Sequence, residues 1–200
     1  EGNAEGNIIN FQQSLDKQNY AVEAAARYGL ALSYYENKNY KVAISQLEAL
    51  LNDDNRNLFY VDALADAYIA EKNFDKAIAM LSELNLLMPN NQVVTLNYAN
   101  VLNEAGQYAQ AETLLQKFLV LSPKNFIAND LLTEVYRKQD KKALMHATKA
   151  EVYALLGAYP KAVDELQTAY NFVEENPLLQ KRMKGRILQL QEQQEKLKRL

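Results

Sequence analysis

Two pairs of carboxylates have the spacing that acid–base or metal chemistry would need. Asp62 and Asp66, like Asp130 and Glu134, are four residues apart, which places each pair on one face of a helix. Such a pair repels itself unless a cation neutralises it, and in principle it could bind a metal or transfer protons. The chain has no Cys and a single His, His146, which lies beside neither pair in the sequence. We therefore expect the carboxylates to line a solvated or peptide-facing surface.

The sequence signatures of catalysis are absent from this chain. It contains no His-Glu-x-x-His, no Gly-rich phosphate loop and no nucleophile elbow. His146 stands in a Leu-Met-His-Ala run, where a lone His is expected to be an ordinary helix residue. We predict a non-catalytic chain with no cofactor-binding or metal-binding residue.

The elements that position the carboxylates follow from a repeat of 34 residues. Ala43, Ala77 and Ala111 each follow an aromatic turn phrase and are spaced by this period, whereas Ala162 comes one and a half periods after Ala111. With only 4 Pro and 6 Gly to interrupt helices, the composition favours an all-helical chain. A 34-residue helical period indicates stacked helical hairpins.

Around these alanines, Leu-Ala-x-x-Tyr, Ala-x-x-x-Leu and Pro recur in order, and this spacing resembles the tetratricopeptide repeat (TPR). The resemblance implies an all-α, right-handed α-solenoid of antiparallel helical hairpins. We predict an array over 21–176, with a half-repeat phase slip near 143–156, where one helix serves two repeats. Three helices are then expected between 126 and 172. The predicted units are about 24–57, 58–91, 92–125, 126–156 and 143–176.

The two ends differ from the array. Residues 1–20 have few apolar residues, and we expect a linker with one helical turn against the first hairpin. Residues 177–200 hold seven Lys or Arg and two Glu and predict a basic capping helix. This helix lacks the aromatic residues of a nucleic-acid site, and no apolar run is long enough to span a membrane. An alternative is that it folds toward the acidic groove and competes with ligands.

In a TPR array the inner side of each first helix lines a concave groove. As a hypothesis, this groove binds neutral or basic extended peptides through the residues at those positions. Tyr28 and Tyr35 either take part in binding or pack on the N-terminal segment. The candidate residues are Tyr28, Tyr35, Asp62, Asp66, Ile69, Leu96, Asn100, Asn103, Asp130, Glu134 and Arg137.

Three segments carry a closer resemblance: the run 26–36, the helix 149–157 and the Gln-, Lys- and Arg-rich last helix. Together they resemble the C-terminal TPR region of the periplasmic beta-barrel assembly-enhancing proteases (BepA-like). This implies a periplasmic parent whose protease domain, outside this chain, holds zinc on His-Glu-x-x-His. It also implies outer-membrane beta-barrel proteins and the barrel-assembly machinery as partners.

The rival interpretation is a free-standing TPR scaffold or adaptor that self-associates through the terminal helix. Because the chain begins at Glu1 and not at Met, we expect it to be a piece of a longer protein. On either interpretation the partners are proteins or peptides and not nucleic acid.

Overall fold

A computed structural model describes residues 3–173 and 176–198, and every regular element in these ranges is an α-helix. The chain divides into two compact units, Glu1–Ala105 and Gly106–Leu200. The N-terminal unit contains α1 (Ala4–Asp16), α2 (Glu23–Glu36), α3 (Tyr40–Asp53), α4 (Leu58–Ala70), α5 (Phe74–Leu87) and α6 (Gln92–Glu104). The C-terminal unit contains α7 (Tyr108–Leu121), α8 (Phe126–Lys138), α9 (Lys142–Leu155), α10 (Tyr159–Asn171) and α11 (Pro177–Lys198). The all-α class and the helical hairpins are as predicted.

In the N-terminal unit each helix packs on the next, and α4 also packs on α2 and α6. The first helices of successive hairpins therefore lie side by side. Ala43 and Ala77 are fully buried, so neighbouring helices approach closely at these positions, while Leu47, Leu64 and Leu81 fill the core around them. These residues occupy the buried packing positions that the 34-residue repeat predicted for them.

The expectation of a linker at residues 1–20 was wrong, because α1 is a helix of 13 residues that packs on α2. The Asn3 side chain accepts a hydrogen bond from the Gly6 amide at 2.9 Å and caps its first turn. The Phe11 ring lies against Gly29, where an added Cβ would stand 2.5 Å from Cζ of the ring. This aromatic contact at a glycine is one of the contacts that dock α1 on α2. The few apolar residues of the segment did not predict a helix.

The three helices expected between residues 126 and 172 are present as α8, α9 and α10. In the C-terminal unit α9 packs on both α8 and α10, as a helix shared by two repeats should, and α11 packs on α10. Residues 174 and 175, which we placed in the turn before the last helix, and residues 199 and 200 of that helix lie outside the described ranges.

The turns within the hairpins record the phase slip in the backbone. Left-handed φ values occur at Lys38 (60°), Lys72 (59°), Gly106 (77°), Asp140 (56°) and Gly157 (71°). The first four are 34 residues apart and the last follows after 17. Each of these residues follows the end of a helix and has the left-handed conformation that is common at helix C-termini. The phase slip therefore adds one helix to the array without changing the geometry of the turns.

A tyrosine near the C-terminal end of most first helices contacts the preceding helix. The Tyr68 hydroxyl donates to Glu48 Oε1 at 2.6 Å, and Gln116 Nε2 donates to the Tyr136 hydroxyl at 2.9 Å. Burial and the Glu48 carboxylate raise the pKa of Tyr68. These two tyrosines are therefore structural.

Candidate functional site

Four of the predicted groove residues of the N-terminal unit lie near one another on α2 and α4, and Asn97 of α6 lies beside them. We call Tyr28, Tyr35, Asp62, Asp66 and Asn97 the acidic–aromatic surface. The two tyrosines are seven residues apart on α2, and the two carboxylates are four residues apart on α4, so both pairs follow one face of their helix. Because α2 packs on α4, the two faces meet.

The two tyrosines are half-buried and pack against the core of this unit. The Tyr28 hydroxyl donates to the Phe59 carbonyl at 3.2 Å, and its ring centroid lies 5.3 Å from that of Tyr60. Tyr35 has its ring centroid 5.4 Å from that of Tyr40. The contacts of both are thus to α3 and α4, and each leaves part of its ring in solvent.

Both phenols stand next to a carboxylate. Burial raises the pKa of Tyr28, and the charges of Asp62 and Tyr60 raise it further. Burial likewise raises the pKa of Tyr35, with Asp66 as the next cause. Asp62 is therefore coupled to Tyr28 and Asp66 to Tyr35, which makes two aromatic–acidic pairs.

The two carboxylates of this surface are exposed, but they are not equally compensated. Asn97 Nδ2 donates a hydrogen bond to Asp62 Oδ1 at 2.7 Å. Partial desolvation raises the pKa of Asp66, and the negative charge of Asp62 raises it again. Asp66 is thus an anion whose ionisation its surroundings oppose, and a bound cation would relieve that cost.

Sequence reasoning missed Asn97, which lies 35 residues after Asp62. One repeat plus one residue places it on the neighbouring first helix, beside the acidic position. The repeat period alone could have indicated this spacing. Without a structure, however, no observation distinguished Asn97 from the other polar residues of α6.

Two predicted groove residues of α6 are buried, so their assignment to an exposed groove was wrong. Leu96 is 8% exposed and Asn103 is 5% exposed. Both follow the stripe of Ala99, which is fully buried, at spacings of three and four residues. Ile69 and Asn100 are half-buried, and Ile69 packs against the core.

The predicted acidic pair of the C-terminal unit does not behave as a pair. Arg137 donates through Nε and Nη2 to the two carboxylate oxygens of Glu134, at 2.7 and 2.6 Å. These hydrogen bonds lower the pKa of Glu134. The expected repulsion between Asp130 and Glu134 is therefore relieved within α8 itself, and Asp130 alone is left as an exposed carboxylate.

His146 is an interhelical contact. Its Nδ1 lies 2.6 Å from Glu165 Oε2, and Lys149 Nζ lies 2.7 Å from Glu165 Oε1. The His146 ring stacks on Phe172 with centroids 5.7 Å apart. Burial acts to raise the pKa of Glu165, but the hydrogen bonds from His146 and Lys149 outweigh it and lower the pKa. The group ties α9 to α10.

Among the described residues there is no group of three or more His, Cys, Asp or Glu side chains placed to hold a metal ion. Within the same ranges, no helix combines the length and the apolar character that crossing a membrane requires.

Comparison with known proteins agrees with this geometry. Two family models, both described as tetratricopeptide repeat, match residues 10–57 and 68–119, together half of the chain. The chain belongs to the tetratricopeptide repeat family. The first of these matches begins inside α1, so residues 10–16 of this helix fall within the TPR pattern.

The resemblance to the beta-barrel assembly-enhancing proteases is confirmed as a sequence similarity. The protein of that name from Escherichia coli K12 is 31% identical over 91% of this chain and 37% of its own length. A putative beta-barrel assembly-enhancing protease of Vibrio cholerae is 33% identical over 93% of this chain and 38% of its own length. The chain thus spans less than two fifths of these relatives.

Solved structures support the fold. A tetratricopeptide repeat protein from Parabacteroides merdae has a TM-score of 0.60 at 13% identity, covering 90% of this chain and 77% of its own. MamA from Desulfovibrio magneticus RS-1 has a TM-score of 0.57 at 14% identity, covering 86% of this chain and 96% of its own. At these identities the likeness concerns the helical-hairpin solenoid alone.

Proposed function

We propose that this TPR chain is a protein-interaction domain whose acidic–aromatic surface binds neutral or basic extended polypeptide segments. The observation that supports the proposal is Asp66, an exposed carboxylate whose pKa is raised by desolvation and by Asp62. A Lys or Arg side chain of the ligand would neutralise both carboxylates. The half-exposed rings of Tyr28 and Tyr35 offer faces on which the cation or its aliphatic stem would lie.

A binding assay tests this directly. The probe is a fluorescein-labelled extended peptide with blocked ends and Lys at alternate positions, measured by fluorescence anisotropy at low ionic strength. The double substitution Asp62→Asn with Asp66→Asn should weaken binding by roughly tenfold, since two exposed or half-exposed charge contacts of about 0.5–1 kcal/mol each are lost. The matched control is Asp130→Asn, which removes an exposed carboxylate of the C-terminal unit.

Two outcomes decide the matter. Binding that weakens only in the Asp62 and Asp66 variant, and that falls with added salt, supports the surface as the site. If the control and the double variant bind the Lys peptide equally well, the acidic–aromatic surface is not where basic segments bind.

We further infer that the chain is the substrate- and partner-recruiting region of a periplasmic zinc metalloprotease acting in outer-membrane protein assembly quality control. The support is the similarity to proteins named beta-barrel assembly-enhancing protease over more than nine tenths of the chain. On this proposal the zinc and its His-Glu-x-x-His lie in the parent protein outside this chain. Outer-membrane beta-barrel proteins and the barrel-assembly machinery are the proposed partners.

The gene that encodes the parent protein tests this second proposal. A signal peptide and a His-Glu-x-x-His encoded upstream of Glu1 are the expected result. A complete open reading frame without either would exclude the protease assignment, while leaving the peptide-binding result unaffected.

A self-associating scaffold is the second candidate, and exposed leucines of the terminal helix favour it. Leu178, Leu188 and Leu197 of α11 are 63%, 61% and 57% exposed. Light scattering of the purified chain over a range of concentrations measures its mass. A dimer that dissociates in Leu188→Gln would support this candidate, and a monomer at all concentrations would exclude it.

A further inference from the structure

The C-terminal unit contains a second concave feature that the sequence did not indicate. It is an open, mostly apolar cleft of about 290 Å³ between α8, α9, α10 and α11. None of its lining residues belongs to the predicted groove. We call it the C-terminal cleft.

The way α11 is held explains why the cleft exists. This helix packs on α10, and its residues Leu179, Met183 and Arg186 line the cleft from one side at spacings of three and four residues. Its link across to α9 is polar, because Arg186 donates through Nε and Nη2 to Glu151 at 2.8 and 2.6 Å. The ion pair bridges the two helices and leaves the space beside it unfilled.

The floor of the cleft is made of leucines. Leu132 of α8, Leu144 of α9 and Leu166 of α10 contribute to it, one from each helix. Its volume lies close to the lower end of the roughly 300–1,000 Å³ range of ligand pockets. The cleft is therefore suited to one or two apolar side chains and not to a large cofactor.

A cation stands at the mouth of the cleft. Arg182 lines it and is exposed, and no ion pair involves Arg182 among the described residues. Arg186, one turn later, already uses Nε and Nη2 on Glu151 and donates Nη1 to Gln189 at 3.2 Å. The planar guanidinium of Arg182 is thus the one suited to a further carboxylate, which it can bind in two-pronged fashion.

The lining also indicates where the ligand carboxylate comes from. One recurring kind of site that holds a chain terminus uses backbone N–H groups that are free of other bonds. The lining residues of the C-terminal cleft lie within helices, where backbone N–H groups are already used except at Leu144, in the first turn of α9. The cleft is also open to solvent. A chain can pass across such a cleft, so an acidic side chain fits better than a C-terminus.

We propose that the C-terminal cleft binds an internal peptide segment in which a large apolar residue adjoins Asp or Glu. The apolar side chain occupies the leucine-lined floor, and the neighbouring carboxylate pairs with Arg182. This is a site distinct from the acidic–aromatic surface and has the opposite charge preference. A protein with both sites would take basic and acidic–apolar segments at different places.

Methionine methyl NMR on the full chain gives a site-resolved test. The probe is an acetylated and amidated peptide with a central Leu-Asp-Leu flanked by Gly and Ser. We expect the Met183 methyl signal to shift on titration, while Met80 and Met88, which lie in the other unit, keep their positions. Saturation of the Met183 shift gives the affinity.

Two substitutions and two peptides complete the test. Arg182→Gln should weaken the Leu-Asp-Leu peptide about fivefold to tenfold, as the loss of one partly exposed charged hydrogen bond implies, whereas Lys181→Gln, its neighbour outside the cleft, should not. Ala147→Leu should block binding by filling the cleft. A Leu-Asn-Leu peptide should bind the native chain as weakly as Leu-Asp-Leu binds Arg182→Gln.

The proposal fails if Met183 does not shift, or if Arg182→Gln and Lys181→Gln have equal effects. It also fails if a peptide ending in a free C-terminal Leu binds more tightly than Leu-Asp-Leu, since the occupant would then be a chain terminus. Asp62→Asn with Asp66→Asn should leave this titration unchanged, so failure at one site is separable from failure at the other.

Discussion

Gly29→Ala should undock the N-terminal helix, even though Ala is normally the better helix residue. An Ala Cβ at this position would lie 2.5, 2.6 and 3.0 Å from the Cζ, Cε1 and Cε2 atoms of Phe11. Carbon atoms in ordinary contact are about 3.5–4.0 Å apart, so the ring must retreat by roughly 1 Å or leave. Because Cζ lies on the axis of ring rotation, rotating the ring about its own axis cannot relieve the overlap.

The magnitude follows from two opposing effects. Replacing Gly by Ala inside a helix stabilises by roughly 0.5–1 kcal/mol, whereas overpacking of this kind costs about 1–3 kcal/mol. We therefore expect a net loss of about 1 kcal/mol in the free energy of unfolding. α1 has 13 residues, and an isolated helix of that length is marginal in water, so once undocked it should lose its helicity.

Urea unfolding followed by circular dichroism measures the stability, and amide hydrogen exchange of residues 4–16 measures the docking. Gly185→Ala in α11 is the matched control, because no atom lies within 4 Å of the added Cβ, and it should show the full helix gain. Adding Phe11→Ala to Gly29→Ala should remove the overlap and cancel most of the difference between the two glycines. If Gly29→Ala proved as stabilising as Gly185→Ala and kept amide protection in α1, the described docking would be refuted.

Four further predictions concern the core and the titrating groups. Leu81→Ala should lower the free energy of unfolding by about 2–5 kcal/mol because Leu81 is fully buried, whereas Leu86→Ala, at a position 82% exposed, should change the urea midpoint little. The Asp66 carboxyl should titrate by NMR above the ordinary value of about 3.9, and this raised pKa should fall in Asp62→Asn. Since the fold disfavours ionised Asp66, Asp66→Asn should raise the free energy of unfolding at pH 7, and this gain should disappear as the pH falls below the pKa of Asp66. A gain that is the same at both pH values would show that the fold does not disfavour the ionised carboxylate. Glu165 has a lowered pKa in the fold, so its contribution to the free energy of unfolding is present above about pH 4.3 and is lost as the pH falls through its folded-state pKa. Glu165→Gln should therefore reduce the difference between the urea unfolding midpoints at pH 7 and at pH 3.

The repeat carried most of the fold prediction because its residues act locally. Ala43 and Ala77 need only the neighbouring helix to be buried, so their spacing predicts the hairpins. The N-terminal segment could not be predicted in the same way, because it has few apolar residues and docks through a contact between Phe11 and Gly29, 18 residues later. Glycine has no side chain, so a hydrophobic pattern does not mark its position as a contact.

The site was predicted less completely because a helix face does not specify the rotation of a helix. The α4 carboxylates are exposed as expected, but Leu96 and Asn103 lie on the buried face of α6. Charge spacing was also insufficient, because the i, i+4 rule that pairs Asp130 with Glu134 gives no weight to Arg137, whose guanidinium binds Glu134 first. Side-chain partners decide these cases, and they depend on rotamers that periodicity does not encode.

The phase slip connects the fold to the C-terminal cleft. A regular array gives each helix one role, but the turns at Asp140 and Gly157 are only 17 residues apart, so α9 closes one hairpin with α8 and opens the next with α10. The following helix, α11, packs on α10 and meets α9 through the charged Arg186–Glu151 pair. Arg186 and Glu151 have much longer side chains than the buried alanines at helix contacts elsewhere in the array. The half-repeat step therefore provides a physical origin for the cleft, and it predicts that regular TPR junctions built on Ala–Ala approaches lack one.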